Sequence, residues 1–162
     1  MSTKSSACVV FNDKNEVLLV LREDARLWVI PGGGVEDGES WEQGAIREVK
    51  EESGYVVAIQ RYVGEYWRPQ ASRGMGDTMR LFVGRVVGGD ASDRGWESID
   101  TRWFALGNLP QNTFRNTREY IRNALAETSA PFRKEQKLPI WYAVLMKVFL
   151  RVSDVRNKWR GV

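Results

Sequence analysis

Histidine is absent from the 162-residue sequence, and cysteine occurs once, as Cys8. The lack of histidine excludes a serine–histidine or cysteine–histidine catalytic pair and any zinc site with histidine ligands. A general base must therefore be a carboxylate, lysine, tyrosine or cysteine side chain, or a metal-bound water. A single cysteine excludes an intramolecular disulfide, which fits a reducing compartment, and Cys8 is interpreted as a small buried hydrophobe.

Long hydrophobic runs are also lacking. The longest apolar stretch, Leu138–Val152, is interrupted by Lys147. It is shorter than the roughly 20 residues that a membrane-spanning helix needs. The first six residues are polar and are not followed by the apolar segment of a secretory signal. The sequence therefore predicts no membrane span and a cytoplasmic location.

The pattern of apolar runs and turn residues predicts strands interspersed with helices. Ala7–Phe11 and Val17–Leu21 flank a turn at residues 12–15 and are predicted to form a hairpin. Further strands are predicted at Trp28–Ile30, Val56–Trp67, Met79–Val87 and Thr101–Phe104, and a helix at Asn116–Glu127. This order favours a layered α/β or α+β domain whose sheet is mixed rather than purely parallel.

One helix is marked at both ends. Ser40 is a good N-cap with Gln43 at the capping-box position, and Gly54 is a good C-terminal stop. These signals predict a helix over Trp41–Ser53. On a helical wheel, an apolar stripe expected to face the core is formed by Trp41, Ala45, Ile46 and Val49.

Three glutamates share an adjoining arc of this helix. Glu48 is three residues from Glu51 and four from Glu52, so their side chains can converge. Because like charges repel at this spacing, a divalent cation, Mg²⁺ or Mn²⁺, is the natural partner for the cluster. The alternative is a solvated helix face whose acids pair with Arg47 and Lys50. Gly44 lies in the same arc, either as a bare patch beside the carboxylates or as a structural glycine that is simply tolerated or is needed for close helix packing.

The segment Gly33–Tyr55 resembles the Nudix box. That motif requires a glycine, five residues, a glutamate, seven residues, and then arginine, glutamate, a hydrophobic residue, any residue, two glutamates, any residue, glycine and a hydrophobic residue. Tyr55 is the one departure, since a smaller aliphatic residue is usual there. The fixed positions are filled, at the required spacing, by Gly33, Glu39, Arg47, Glu48, Val49, Glu51, Glu52 and Gly54.

The resemblance extends over most of residues 7–127 and implies a Nudix fold, in which a mixed β-sheet is sandwiched between α-helices. It implies hydrolysis of a pyrophosphate bond in a nucleoside diphosphate linked to another moiety, such as a nucleotide sugar, an ADP-ribose-like compound or a (d)NTP. Under this resemblance Glu48, Glu51 and Glu52 bind Mg²⁺ or Mn²⁺. Glu48 also orients or deprotonates water, and the carbonyl of Gly33 is a further candidate ligand.

The remaining box residues and one later acid also receive roles from the resemblance. Arg47 and Glu39 form an ion pair that positions the box. Glu97 lies in a later loop where family members often supply another carboxylate, as a metal ligand or base. The alternative for Glu97 is an ordinary exposed loop acid.

Recognition of the rest of the substrate is assigned to residues outside the box. Arg68 and Arg73 flank a loop and are candidates to grip phosphates. Trp67 and Phe82 are candidates to stack on a base. Each of these four residues has a purely structural role as its alternative.

The C-terminal region is basic. From Thr113 onward there are 11 basic and 4 acidic residues, although the net charge of the whole chain is only +3. We expect residues 1–130 to form the catalytic domain and residues 131–162 to form a basic amphipathic helix, over about Leu138–Trp159. That helix packs on the domain, forms a homodimer contact or lies on a membrane surface.

Two other functions compete with hydrolysis of a small nucleotide compound. The first is a non-catalytic nucleotide-binding module, although such a module is expected to have lost some of the box carboxylates. The second is a pyrophosphohydrolase of RNA 5′ ends that uses the basic C-terminal region to bind nucleic acid. The sequence does not select the substrate.

Overall fold

A computed structural model of the chain describes residues 4–68, 78–93, 95, 98–126 and 130–136. The strands are β1 (Lys4–Phe11), β2 (Glu16–Arg22), β3 (Trp28–Val29), β4 (Gly32–Gly34), β5 (Tyr55–Trp67), β6 (Thr78–Gly89), β7 (Ser98–Ala105) and β8 (Phe132–Glu135). The helices are α1 (Trp41–Ser53) and α2 (Arg115–Leu125). In these ranges no helix combines the length and the apolar character needed to cross a membrane.

The strands form one mixed sheet. β1 runs parallel to β6 along its whole length and antiparallel to β2 and β4. On the far side of β6, β5 is antiparallel to β6, and β8 is parallel to β5. β2 pairs antiparallel with β3 and β7. The predicted hairpin of β1 and β2 and the predicted mixed sheet are both confirmed.

The two helices cover opposite faces of the sheet. Because side chains alternate along a strand, Cys8 and Val10 of β1 point to one face and Val9 to the other, and all three are fully buried. The first face packs with α1 through Ala45, Val49, Val57, Phe82 and their neighbours. The second packs with α2 through Tyr120, Ile121 and Ala124. The sheet is thus sandwiched between helices, as expected.

Two strands were not predicted. β4 consists of three glycines, and it pairs with Ser5–Ala7 of β1. A β-carbon on Gly32 would lie 2.6 Å from the β-carbon of Ala7, so only glycine allows this close approach. β8 extends the sheet past residue 130, at the start of the segment assigned to a separate C-terminal helix. The predicted helix over residues 138–159 lies outside the described part of the chain.

Candidate active site

Local signals determine both ends of α1. Ser40 Oγ accepts a hydrogen bond from the backbone N–H of Gln43 at 3.1 Å, and the Ser40 N–H donates to Gln43 Oε1 at 2.7 Å. Gly54 adopts a left-handed conformation, with φ of 79°, and its N–H donates to the Lys50 carbonyl. The predicted helix bounds are confirmed. Ala45 and Val49 of the predicted apolar stripe are fully buried.

Gly44 is a packing position. A β-carbon there would lie 3.0 Å from Ser6 Oγ of β1 and 3.2 Å from Val35 Cγ2. The helix therefore sits directly on β1 and on the loop that follows β4. Of the two alternatives for this glycine, the contacts favour close packing over a bare patch for a ligand.

Residues Gly32–Gly34, which form β4 and are called the glycine loop below, meet α1 at Glu48. The α-carbon of Gly33 faces the Glu48 carboxylate so closely that a β-carbon would collide with it. Glu48 is only 8% exposed. Gly33 itself is held in place because it pairs with Ser6 in the β1–β4 ladder. The fold thus brings a buried carboxylate onto the backbone of the first residue of the box.

Glu52 contacts the glycine loop at Gly32, the residue before Gly33. Its Oε2 accepts a hydrogen bond of 2.9 Å from the backbone N–H of Gly32, and the residue is 5% exposed. Sequence reasoning did not foresee Gly32 as a donor. The only available signal was its place in the glycine run. Because burying a carboxylate is costly without polar partners, this N–H offsets part of the cost of burying Glu52.

Arg47 joins the loop to the acids of the helix. Its Nη1 donates to Glu48 Oε1 at 3.0 Å and to Glu51 Oε2 at 2.9 Å. Its Nε donates to Glu39 Oε1 at 2.8 Å, and its Nη2 donates to the carbonyl of Gly34 at 2.6 Å. The planar fork of donors suits several acceptors at once. Arg47 is therefore the residue that fixes the loop, Glu39 and the helix relative to one another.

The charges in this cluster stabilise each other. The hydrogen bond from Arg47 lowers the pKa of the Glu39 carboxyl below its usual value. The hydrogen bond with Glu39, followed by the charge of Glu48, raises the pKa of Arg47 above its already high value. Both ions of the Arg47–Glu39 pair are therefore present throughout the physiological pH range.

The three helix acids have different surroundings. Glu48 and Glu52 are buried, whereas the side chain of Glu51 is 57% exposed. Within the described ranges, no three histidine, cysteine, aspartate or glutamate side chains are grouped so that they could hold a metal ion. The contacts account for this, because Arg47 Nη1 lies between Glu48 and Glu51 while Glu52 is directed to Gly32. A shared ion among the three acids stays a prediction.

The predicted substrate-binding residues are dispersed. Arg68 is 8% exposed on the α2 side of the sheet, where its Nε donates to Gln136 Oε1 at 2.9 Å. Phe82 is 1% exposed and packs against Tyr62 in the core beside α1, so its ring offers no face for stacking. Trp67 is 41% exposed at the end of β5. The remaining candidates, Arg73 and Glu97, lie outside the described residues.

Comparison with known proteins gives concordant matches. The family model for the NUDIX domain matches residues 1–124. A Bacillus subtilis protein named "Putative 8-oxo-dGTP diphosphatase" is 37% identical over 123 residues, which cover 76% of this chain and 80% of that protein. A Methanocaldococcus jannaschii "ADP-ribose pyrophosphatase" is 29% identical over 119 residues, covering 70% of each.

A solved structure titled "NUDIX hydrolase from Nitrosomonas europaea" has the same fold. It superposes with a TM-score of 0.69 at 26% sequence identity, covering 82% of this chain and 94% of that one. The family match spans well over half of the chain, and it includes the loop and helix that carry the acidic cluster. The chain therefore belongs to the Nudix family of hydrolases, which act on phosphorus anhydride bonds.

Proposed function

We propose that the chain hydrolyses the pyrophosphate bond of a nucleoside diphosphate linked to another moiety, with Mg²⁺ or Mn²⁺ held by Glu48, Glu51 and Glu52. The observation that carries the proposal is the pair of buried carboxylates on adjacent turns of α1. Glu48 lies against Gly33 and Glu52 against the N–H of Gly32. Two acids buried at one stretch of backbone are costly unless a cation or a set of donors offsets them.

The donor chemistry of the cluster fits a hard divalent cation. All the side-chain atoms proposed as metal ligands are carboxylate oxygens, which suit Mg²⁺ and Mn²⁺. The chain has no histidine to favour a softer metal. Glu48 and Glu52 are already buried beside the loop. The exposed side chain of Glu51 forms an ion pair with Arg47, and a rotamer change would redirect its carboxylate. The Gly33 carbonyl remains a candidate for a further ligand.

The protein residues then divide the work. A bound divalent ion neutralises phosphate oxygens and lowers the pKa of water, which is the chemistry that the carboxylates alone do not supply. Glu48 accepts the proton of the attacking water or orients it, since its carboxylate is held by both Arg47 and the wall formed by Gly33. Arg47 holds the loop in a fixed position relative to the helix through its hydrogen bonds to Glu39 and to the Gly34 carbonyl. The leaving group is a phosphate that needs little protonation, so no histidine acid is required.

The named relatives define the range of substrates to test. One relative's name refers to 8-oxo-dGTP and another's to ADP-ribose, and both compounds contain a pyrophosphate linkage on a nucleoside. We propose that the partner of this chain is a small molecule of that type. A cytoplasmic location accords with the buried, free thiol of Cys8. The basic region beyond residue 136, on which an RNA substrate depends, lies outside the described residues.

A substrate panel tests the proposal. ADP-ribose, 8-oxo-dGTP, a nucleotide sugar and an NTP are each incubated with Mg²⁺, and nucleotide products are separated by chromatography. We expect turnover of at least one compound, and its loss in Glu52→Gln. Glu42→Gln is the matched control, because Glu42 is an exposed acid in the first turn of the same helix.

Three outcomes contradict the proposal. Tight binding of a panel compound without turnover indicates a binding module instead of an enzyme. Equal activities of Glu52→Gln and the wild-type protein indicate that the acidic cluster is not the reaction centre. Cleavage of triphosphorylated or capped RNA with no turnover of small compounds indicates the RNA alternative.

A further inference from the structure

The last turn of α1 has backbone carbonyls that the helix cannot satisfy by itself. The carbonyl of Lys50 has a hydrogen-bond partner, because the N–H of Gly54 donates to it at 2.8 Å. Glu51 and Glu52 come next, and a helix ending at Ser53 has no intrahelical donors for their carbonyls. These are two of the three residues proposed to hold the metal.

One carbonyl accepts a hydrogen bond from the connection between β6 and β7, and the other accepts one from β7 itself. The backbone N–H of Gly95 donates to the carbonyl of Glu51 at 2.6 Å. Thr101, in β7, donates from its Oγ1 to the carbonyl of Glu52 at 3.3 Å. The C-terminal turn of the helix is therefore capped by residues far away in the sequence.

Gly95 is required for its contact by steric fit. A β-carbon at residue 95 would lie 2.8 Å from the Glu51 carbonyl oxygen, closer than such atoms approach. Because Gly95 has no β-carbon, its N–H can approach the Glu51 carbonyl closely enough to form the hydrogen bond. Thr101 is fixed independently, because β7 pairs with β2 and places Thr101 opposite Val20. The two donors rest on different parts of the fold but reach consecutive helix carbonyls.

The hydrogen bonds from Gly95 and Thr101 hold the last turn of α1, which carries Glu51 and Glu52. The side chain of Glu52 is held by Gly32 from β4, and its carbonyl by Thr101 from β7. A helix end is otherwise the place where the backbone frays. Because the carboxylates lie on this end, any shift of the turn moves them relative to Glu48 and the glycine loop.

We propose that Gly95 and Thr101 are positioning residues for the metal-binding acids, acting through the backbone carbonyls of Glu51 and Glu52. This inference rests on the proposed function. It assigns to Gly95, in the β6–β7 connection, and to Thr101, in β7, a part in the reaction that does not require either residue to touch the substrate. Groups that support metal ligands in this way typically affect affinity or activity by roughly 10- to 100-fold.

The test compares Gly95→Ala and Thr101→Val with the intact protein. Mn²⁺ affinity is measured without substrate by electron paramagnetic resonance, and kcat and KM are measured with Mg²⁺ on the best compound of the panel. We expect both variants to bind Mn²⁺ roughly tenfold or more weakly and to lose kcat by a similar factor, with KM for the substrate changed less than about twofold. Thr101→Ser restores the hydroxyl and is expected to recover most of the loss.

Gly88→Ala is the matched control for Gly95→Ala. Gly88 lies in β6 before the same connection, and a β-carbon there would meet nothing within 4 Å. We expect this variant to retain the Mn²⁺ affinity and kcat of the parent. Melting temperatures of all variants show whether a loss merely follows reduced stability.

The outcomes separate this inference from the proposed function. If the intact protein turns over no panel compound, the proposed function fails, while the Mn²⁺ affinities still decide whether the two hydrogen bonds position the acids. If Thr101→Val and Gly95→Ala both keep Mn²⁺ affinity and kcat within about twofold of the parent, the inference is wrong. It is also wrong if Thr101→Ser fails to recover what Thr101→Val loses.

Discussion

Gly33 faces the carboxylate of Glu48 so closely that a β-carbon at residue 33 would fall 2.5 Å from Oε1 and 2.6 Å from Oε2. No other residue type fits without moving Glu48. This contact is the physical reason for a glycine at the start of the box. It links a turn-forming residue of the loop to an acid of the helix across the site.

Gly33→Ala is expected to lower kcat by roughly 10- to 100-fold, because the added methyl group pushes the Glu48 carboxylate out of place. Gly34→Ala is the neighbouring control, since a β-carbon at residue 34 would meet nothing within 4 Å. Steady-state kinetics on the same substrate compare the two. Equal kcat values for Gly33→Ala and Gly34→Ala would show that the position of Glu48 does not matter to the reaction.

Arg47→Lys is expected to lower the free energy of unfolding by about 1–3 kcal/mol. A lysine ammonium cannot reach Glu39, Glu51 and the Gly34 carbonyl together, and hydrogen bonds to charged groups contribute about 1.5–3 kcal/mol each before screening. The side chain is 22% exposed, which reduces the effect. Urea unfolding followed by tryptophan fluorescence measures the change.

Arg22→Lys serves as the control for that substitution. Arg22 forms a bidentate pair with Asp24, remote from the box, and its side chain is 39% exposed. Its loss is expected to cost less than about 1 kcal/mol. A cost for Arg47→Lys no greater than that for Arg22→Lys would contradict the role of Arg47 as the link between loop and helix.

Cys8 provides a prediction about pH. Burial raises the pKa of its thiol from 9.0 to about 12. Below pH 9.0 the thiol is protonated in the folded and in the unfolded protein. Above pH 9.0 the unfolded chain loses the thiol proton first. The stability contributed by the neutral buried thiol is therefore full below the unfolded pKa and is lost as pH rises towards the folded pKa.

The free energy of unfolding at neutral pH and at about pH 10 tests this prediction in two proteins. The parent should lose about 1 kcal/mol more than Cys8→Ala over this interval, since one pKa unit corresponds to about 1.4 kcal/mol. The native thiol should also resist a disulfide reagent that reacts at once after denaturation. Equal pH dependence in the two proteins would contradict a buried thiol of raised pKa.

The parts of the fold that local signals specify were predictable from the sequence. The bounds of α1 follow from Ser40, Gln43 and Gly54, whose hydrogen bonds lie within the helix or next to it. The hairpin of β1 and β2 is likewise a contact between neighbours in sequence. Such elements are determined by residues a few positions apart, which is the range that pattern reasoning covers.

The parts that were missed depend on distant pairing. The three glycines of β4 are typical of a turn, and only the edge of β1 makes them a strand. β8 is a short run with two basic residues and one acidic residue, and it becomes a strand because β5 lies beside it. Phe82 was predicted to stack on a base, but β6 is buried on both faces at that point. The donors Gly32, Gly95 and Thr101 were not predicted, because each bonds to a partner far away in the sequence and no local residue pattern marks such a pair.

Water enriched in heavy oxygen gives the most direct test of hydrolysis at the pyrophosphate bridge. The intact protein is incubated in this water with Mg²⁺ and a panel compound that it cleaves. The masses of the products are then measured by mass spectrometry. The account predicts one heavy oxygen atom on a single phosphate-bearing product and none on the other. Products without heavy oxygen on phosphorus would contradict it.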